Sequence, residues 1–463
     1  MAQANPNVAS DGPTAALTAL AAETTYADLD EAARHAVRRH ALDTIGACIA
    51  GADQPVTRIA ESVLAEFAGA ATVPVPGSPR RTDALTAAYL TGAAGHGLEV
   101  DDGARSASTH PGVVVLPPLL AALPLGAYDG KRLLAAIAVG YEVALRVGEG
   151  IHPASRRRGF HNTSVAGVFG AAAAVGALRG LDAGRMEQAF GIAASSAAGL
   201  FAFLHGGGEI KRLHPGHAAR EGLLAALLAE RGMTGPVGVL EVRDGVFAAF
   251  SDAKDRAGLD AAPAARGGWA VTRCYVKPYA CCRHLHAAID AVRDIVLTEK
   301  IAAEDIAAVE VGTYAIAADH AHTGWADMAS AQMSFPFVLA NAMLGNDLGL
   351  ADFGDAARAD ARRHALCAKV RIATDADCDA DYPAKRAAKV RLTTTAGAAH
   401  ERYVPEPYGA PANPMSDAAL KAKFRGLADP ILGADKAARV EEMVWAMADI
   451  ADAKALAEAL AAD

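Results

Sequence analysis

The stretch Gly95-His96-Gly97-Leu98-Glu99-Val100-Asp101-Asp102-Gly103, followed by Thr109-His110-Pro111-Gly112, decides how the rest of the chain is read. An alanine-rich helical pattern, Asp83 to Leu98, leads into it, and the apolar run Val113-Val114-Val115-Leu116-Pro117 leads out. Acids, histidines and glycines therefore occupy a loop hung between apolar segments, where catalytic groups concentrate. The plainer alternative is a capped helix end, with Asp102 or Thr109 satisfying free amides and the glycines closing turns. Three further polar clusters share the loop's chemistry and favour a site.

The 463 residues are 52% hydrophobic, 21% charged and only 5% aromatic. That composition supports a large core, and the abundance of alanine favours closely packed helices. The length allows two or three domains. With 44 Lys and Arg against 53 Asp and Glu the net charge is −9, which argues against a nucleic-acid binder. Met1 to Pro13 lacks the apolar core of a secretory signal, and the longest uncharged apolar run, Ala189 to Leu204, is shorter than a membrane span. The expectation is a soluble, cytoplasmic protein with neither membrane nor nucleic-acid partner. Six cysteines in so long a chain do not make a disulfide framework.

Taken in order, Asp28 to Ala50 reads as an amphipathic helix with Leu42, Ile45 and Ile49 on one face. Pro117 to Val147 reads as two helices parted by Gly126 and Asp129-Gly130. The second cluster, Arg156-Arg157-Arg158-Gly159-Phe160-His161-Asn162-Thr163-Ser164, precedes a helix from Val165 to Leu178 with Thr163 as its N-cap. A helix N-terminus behind Arg157 and His161 would make an anion site, the alternative being a solvated run of arginines. The third cluster, His205-Gly206-Gly207-Gly208-Glu209-Ile210-Lys211-Arg212-Leu213-His214, opens onto a helix from Ala218 to Arg231. It lacks the order of a phosphate loop, and either a carboxylate-binding turn or a flexible loop fits it.

Beyond Gly267 the pattern changes. Ala307 to Tyr314, Ala368 to Ile372 and Ala388 to Leu392 alternate as strands, with helices His284 to Leu297, Ser330 to Leu344 and Asp355 to Ala365 between them. From Met415 the text is helical again, with Ser416 as N-cap. The predicted fold is mostly α with an α+β second domain: 1–13 a disordered tail, 14–267 a helical domain, 268–405 an α+β lid, and 406–463 the helical domain's return. The fourth cluster, Lys277-Pro278-Tyr279-Ala280-Cys281-Cys282-Arg283-His284-Leu285-His286, opens the second domain. Its adjacent cysteines do not match the spaced pairs of zinc sites, so no metal is expected.

The clusters supply His110, His161, His286, Lys211, Lys277, Arg283 and the acids Glu99, Asp101 and Asp102, with no nucleotide fingerprint or nucleophile elbow. Histidines beside cations suit proton abstraction next to a carboxylate, because the enolate-like state adds charge that Lys and Arg stabilise. A small di- or tricarboxylate would fit. Elimination, decarboxylation and epimerisation without a cofactor all use this chemistry, and a silent carboxylate-binding dimer is the non-enzymatic alternative.

The ordered set Leu98-Glu99-Val100-Asp101-Asp102, His110-Pro111-Gly112, Gly159-Phe160-His161, Lys211, Lys277-Pro278-Tyr279 with Cys282-Arg283, and Asn413-Pro414-Met415-Ser416 with Lys423-Phe424 resembles the MmgE/PrpD family. Leu42-Asp43-Thr44-Ile45-Gly46 adds to the match. That family includes 2-methylcitrate dehydratase, cis-aconitate decarboxylase and iminodisuccinate epimerase. The resemblance implies a helical domain from both chain ends, a smaller α+β lid, a cofactor-free site in the cleft between them, and a homodimer. It implies catalytic or substrate-gripping roles for His110, His161, Lys211 and Lys277, with Asp101 and Asp102 in the acidic loop. From the residues themselves, Glu99, Arg157, Arg212, Arg283 and His286 join as substrate-binding candidates.

Three positions depart from the family. Glu99 stands where many members have Asp, Phe337 stands where the decarboxylase has a functional Tyr, and His205 with three glycines replaces a threonine-bearing loop. The missing phenol counts against decarboxylation. The leading expectation is therefore a hydro-lyase acting on 2-methylcitrate or a related acid, with an epimerase next and a cis-aconitate decarboxylase after it. His161, at a helix start that disfavours its cation, is expected as base, and His110 as acid.

Overall fold

The computed structural model describes residues 12–203, 209–252 and 258–463. The expected tail falls mainly on residues 1–11, outside that set, as do Leu204, His205 and the three glycines after it. The chain divides into two compact units: Met1–Gly97, Asp101–Cys274 and Asp417–Asp463 form the first, and Leu98–Val100 with Tyr275–Ser416 the second. The fold is mostly helical with a small α+β part.

The longer helices of the first unit among the described residues include α1 Pro13–Glu23, α2 Glu31–Gly51, α3 Ala84–His96, α4 Gly112–Ala122, α5 Gly130–Ile151, α6 Gly167–Arg179, α7 Ala183–Ala194 and α8 His214–Glu230. Aspartates start several of them. Asp30 accepts from the amide of Ala33, Asp83 from Leu85 and Thr86, Asp129 from Arg132, and Asp182 from Arg185. Each such cap contributes about 1 kcal/mol. α5 is buried along nearly its whole length and packs on α6 through small residues, so a Cβ on Gly170 would meet Ala144 and the Gly140 carbonyl. Inside α5 the buried Glu142–Arg146 pair closes at 2.6 Å, and Glu142 also accepts the amide of Ala270. That last bond links the Ala270–Arg273 turn to α5 within the first unit.

In the second unit, α9 His286–Glu299 packs on a four-stranded sheet. Its strands are β1 Ile306–Thr313, β2 Val370–Thr374, β3 Ala388–Thr394 and β4 Ala399–Val404, in spatial order β2-β1-β3-β4. β1 pairs parallel with β2 (Val309 opposite Val370) and antiparallel with β3 (Val311 opposite Val390). The helix expected over Ser330 to Leu344 is two, Met328–Met333 and then α10 Phe335–Met343, because Pro336 begins a new first turn. The Asp355–Ala365 helix is likewise split into Asp355–Arg358 and Ala361–Cys367. The amide of Val276 donates to Gly409 O, which ties the 407–410 turn to this unit.

The chain returns to the first unit with α11 Asp417–Leu432 and α12 Ala434–Trp445. α11 lies on α2, where Lys423 pairs with buried Asp43 and Phe424 packs over Gly46. Two sequence motifs nearly 400 residues apart thus meet in one helix–helix contact. No helix among the described residues is long and apolar enough to cross a membrane.

Candidate active site

In the first unit, α3 ends at His96 and α4 begins at Gly112, so the polar loop starts and finishes on fixed elements. Asp101 is fully buried, with Oδ2 at 2.7 Å from His96 Nδ1 and 3.0 Å from His110 Nδ1. His110 Nδ1 also lies 2.6 Å from the main-chain oxygen of Asp102. A carbonyl only accepts, so His110 carries its proton on Nδ1 and Nε2 is the nitrogen left for chemistry. Burial brings the pKa of His96 down to about 4 against the opposing pull of Asp101, so this ring is neutral. Its Nε2 is buried with no hydrogen-bond partner among the described residues.

His161 is 2% exposed and lies close by, its ring centroid 5.8 Å from that of His96. Burial, reinforced by the nearby Lys211 charge, holds its pKa well below the usual histidine value. Nδ1 of His161 sits 2.9 Å from Nδ1 of His214, the first residue of α8. Burial also lowers His214, to about 4. Lys211 stands one helical turn before His214, in the Ile210–Leu213 turn, and its charge acts on His96, His161 and His214 alike. Three neutral imidazoles beside a lysine suit proton acceptance next to an anion.

The helix behind His161 differs from expectation. It is one turn, Asn162–Val165, interrupted at Ala166 before α6, and His161 rather than Thr163 is its N-cap. Burial, more than a helix dipole, keeps His161 neutral. Thr163 instead accepts the amide of His110 at 3.2 Å, which ties the polar loop to this turn. Arg157 is exposed and Arg212 pairs with Glu209 at 2.8 Å, whereas Arg156 stacks on Phe201, itself edge-on to His161 at 4.8 Å.

Asp102 plays a different part from Asp101. Its buried carboxylate accepts from the Gly112 amide at 3.0 Å and the Tyr141 hydroxyl at 2.8 Å, with His40 Nδ1 at 2.9 Å. A Cβ on Gly112 would collide with Thr44, Tyr141 and Asp102, so this turn requires glycine. Asp102 therefore anchors the loop through its side chain and holds His110 through its carbonyl. His96, His214, His40 and Tyr141 were not singled out by sequence.

In the second unit, Lys277 is 1% exposed and pairs with Glu99 at 3.2 Å, and Glu99 adopts φ 56°, a left-handed conformation unusual outside glycine. Arg283 donates to the carbonyls of Tyr408 at 2.7 Å and Pro407 at 3.1 Å and lies over the Tyr275 ring. His286 Nδ1 is 3.0 Å from Arg283 and Nε2 is 3.3 Å from Cys281 O. Arg283 and His286 thus brace the 407–408 turn. Phe337 is fully buried against Trp325 and Phe353, in the unit's interior. All six cysteines are buried and unpaired by disulfides.

The MmgE/PrpD N-terminal domain matches residues 15–258 and the MmgE/PrpD C-terminal domain residues 279–449. A cis-aconitate decarboxylase of Aspergillus terreus is 28% identical over 472 residues, covering 95% of this chain and 93% of that protein. A cis-aconitate decarboxylase-like protein, oryM, of Aspergillus oryzae is 27% identical over 93% of this chain and 92% of its own length. Human cis-aconitate decarboxylase is 36% identical over 222 residues, 46% of this chain and 45% of that protein. With both domains matched along most of its length, the chain belongs to the MmgE/PrpD family.

Proposed function

We propose that this protein is a lyase that abstracts a proton next to a carboxylate of a small di- or tricarboxylate, with a hydroxy acid such as 2-methylcitrate as substrate. The observation that carries the reading is the neutral His161, held beside Lys211 and hydrogen-bonded to His214. A neutral imidazole accepts a proton, and the lysine charge stabilises the enolate-like state that forms. His110, with Nδ1 anchored on Asp101 and Asp102, presents Nε2 to protonate the departing hydroxyl, while Asp101 stabilises the positive ring. Elimination needs both a base and an acid, and His161 and His110, read here in those roles, belong to one unit. No cofactor is required by these steps. A homodimer in the cytoplasm belongs to the same reading.

A second reading is decarboxylation of a cis-aconitate-like acid, favoured by the relatives' names. The objection from Phe337 carries little weight, because its ring is a core side chain. The two are separated by incubating the protein with 2-methylcitrate and with cis-aconitate and following products by NMR and released CO2. A new alkene without CO2 supports the hydro-lyase. Release of CO2 from cis-aconitate, with 2-methylcitrate untouched, overturns it in favour of the second reading.

A further inference from the structure

His161 and His214 face each other nitrogen to nitrogen, Nδ1 to Nδ1 at 2.9 Å. Two imidazoles can bond this way only if one Nδ1 carries the proton and the other does not. The bond therefore couples the tautomers of both rings. His214 is 8% exposed and fixed as the first residue of α8, a helix of 17 residues packed against α3, α4, α6 and α7. His161 is fixed by its amide bond to Gly199 O and by the edge of Phe201. Neither ring can turn away without disturbing a packed element. Among the described residues, His214 is the one partner seen on the His161 side chain by hydrogen bond, and Nε2 of His161 is left for a ligand.

We propose that His214 is a positioning residue that fixes the tautomer of His161: His161 donates Nδ1–H to His214 Nδ1, so its Nε2 presents a bare lone pair. His214 then carries its own proton on Nε2. The inference rests on the reading of His161 as the base, since the opposite arrangement would leave Nε2 of His161 protonated and unable to accept. It gives a role to a histidine that touches neither the acidic loop nor His110 by hydrogen bond. Both rings are neutral in the working range, so the arrangement persists without a charge to hold it.

The test reads the tautomer itself. Protein labelled with 15N-histidine gives ring nitrogen shifts that distinguish Nδ1–H from Nε2–H, and a His161→Gln sample assigns the His161 signals by their loss. The expected result is Nδ1–H at His161 in the native protein. In His214→Leu, which cannot accept, the ring should shift toward Nε2–H, and kcat for α-carbon exchange should fall at least about tenfold with KM changed little. His214→Asn places an acceptor oxygen where Nδ1 stood, and should restore the native tautomer and most of the rate. An Nε2–H tautomer in the native protein overturns the inference, as does an unaltered Nδ1–H in His214→Leu. If the leucine variant does not fold, the native spectrum and the asparagine variant still decide. The NMR result does not depend on turnover, so failure of the base assignment shows separately, as undiminished exchange in His161→Gln.

Discussion

The phenol of Tyr141 donates to the carboxylate of Asp102 at 2.8 Å, wholly out of contact with solvent. Tyr141 comes from the middle of α5, so this bond pins the acidic loop to a helix buried along nearly its whole length. The same carboxylate takes the first amide of α4 from Gly112. Asp102 is thus a structural anchor whose main-chain oxygen positions His110, while the neighbouring Asp101 meets the histidines directly.

Asp102→Ala is expected to destabilise the protein by about 2–4 kcal/mol, since it strands the Tyr141 hydroxyl and the Gly112 amide in a dry interior. Urea unfolding followed by circular dichroism reads this as a lower midpoint at unchanged slope. A loss of activity with unaltered stability would instead make Asp102 a reacting group.

Lys211→Ala should behave in the opposite way. Its side chain is only partly buried, so stability should change by less than about 1 kcal/mol. Turnover should fall by a factor on the order of 10² or more, because the charge that stabilises the transition state is gone. A near-normal rate in a well-folded variant would remove Lys211 from the site.

The buried histidines also set the acid limit of stability. Burial lowers His96 from 6.5 to about 4, so the unfolded chain binds more protons than the folded one between those values. The corresponding stabilisation, roughly 3 kcal/mol for His96, is full above about pH 6.5 and is lost as pH falls toward 4. His161 and His214 are lowered too and act in the same direction. The melting temperature should drop steeply through this window, and less steeply in His96→Asn. An equal slope in both proteins would contradict the assignment of His96 as buried and neutral.

Exhaustive chelation should leave activity unchanged. His96, Asp101 and His110 lie close enough together to suggest a cation site. Nδ1 of both rings lies within hydrogen-bond distance of Asp101 Oδ2, so a cation held through these atoms would have to displace the ring protons. Activity that vanishes with chelator and returns with a divalent ion would refute this.

Much of the fold was legible because it rests on local signals. Aspartate caps, alanine-rich faces and the alternating strand at Ile306–Thr313 all speak within a few residues. The strand Ala399–Val404 was not legible, since every residue in it is at least partly exposed and no apolar face alternates. His110, His161 and Lys211 stand out as candidates because each carries a local motif. His96 lies within the helical pattern of Asp83 to Leu98 and carries no motif of its own, because its contact with Asp101 forms only when the loop closes back on it. His214 could have been found from its spacing, three residues after Lys211, which places both on one face of a helical turn. Adjacent Asp101 and Asp102 read alike in sequence, and their different partners, Tyr141, Gly112 and His40 around Asp102 against His96 and His110 around Asp101, separate the two only in the fold. A basic turn does not reveal in sequence that Arg283 donates to carbonyls as distant as those of Pro407 and Tyr408.

The most direct test of the account is solvent-deuterium exchange at the substrate α-carbon, measured with 2-methylcitrate in His161→Gln and His110→Gln. With His161 as base and His110 as acid, the first variant loses exchange, and the second keeps exchange while eliminating slowly. Undiminished exchange and turnover in both variants would contradict the proposed site outright, and loss of exchange in His110→Gln alone would reverse the two roles.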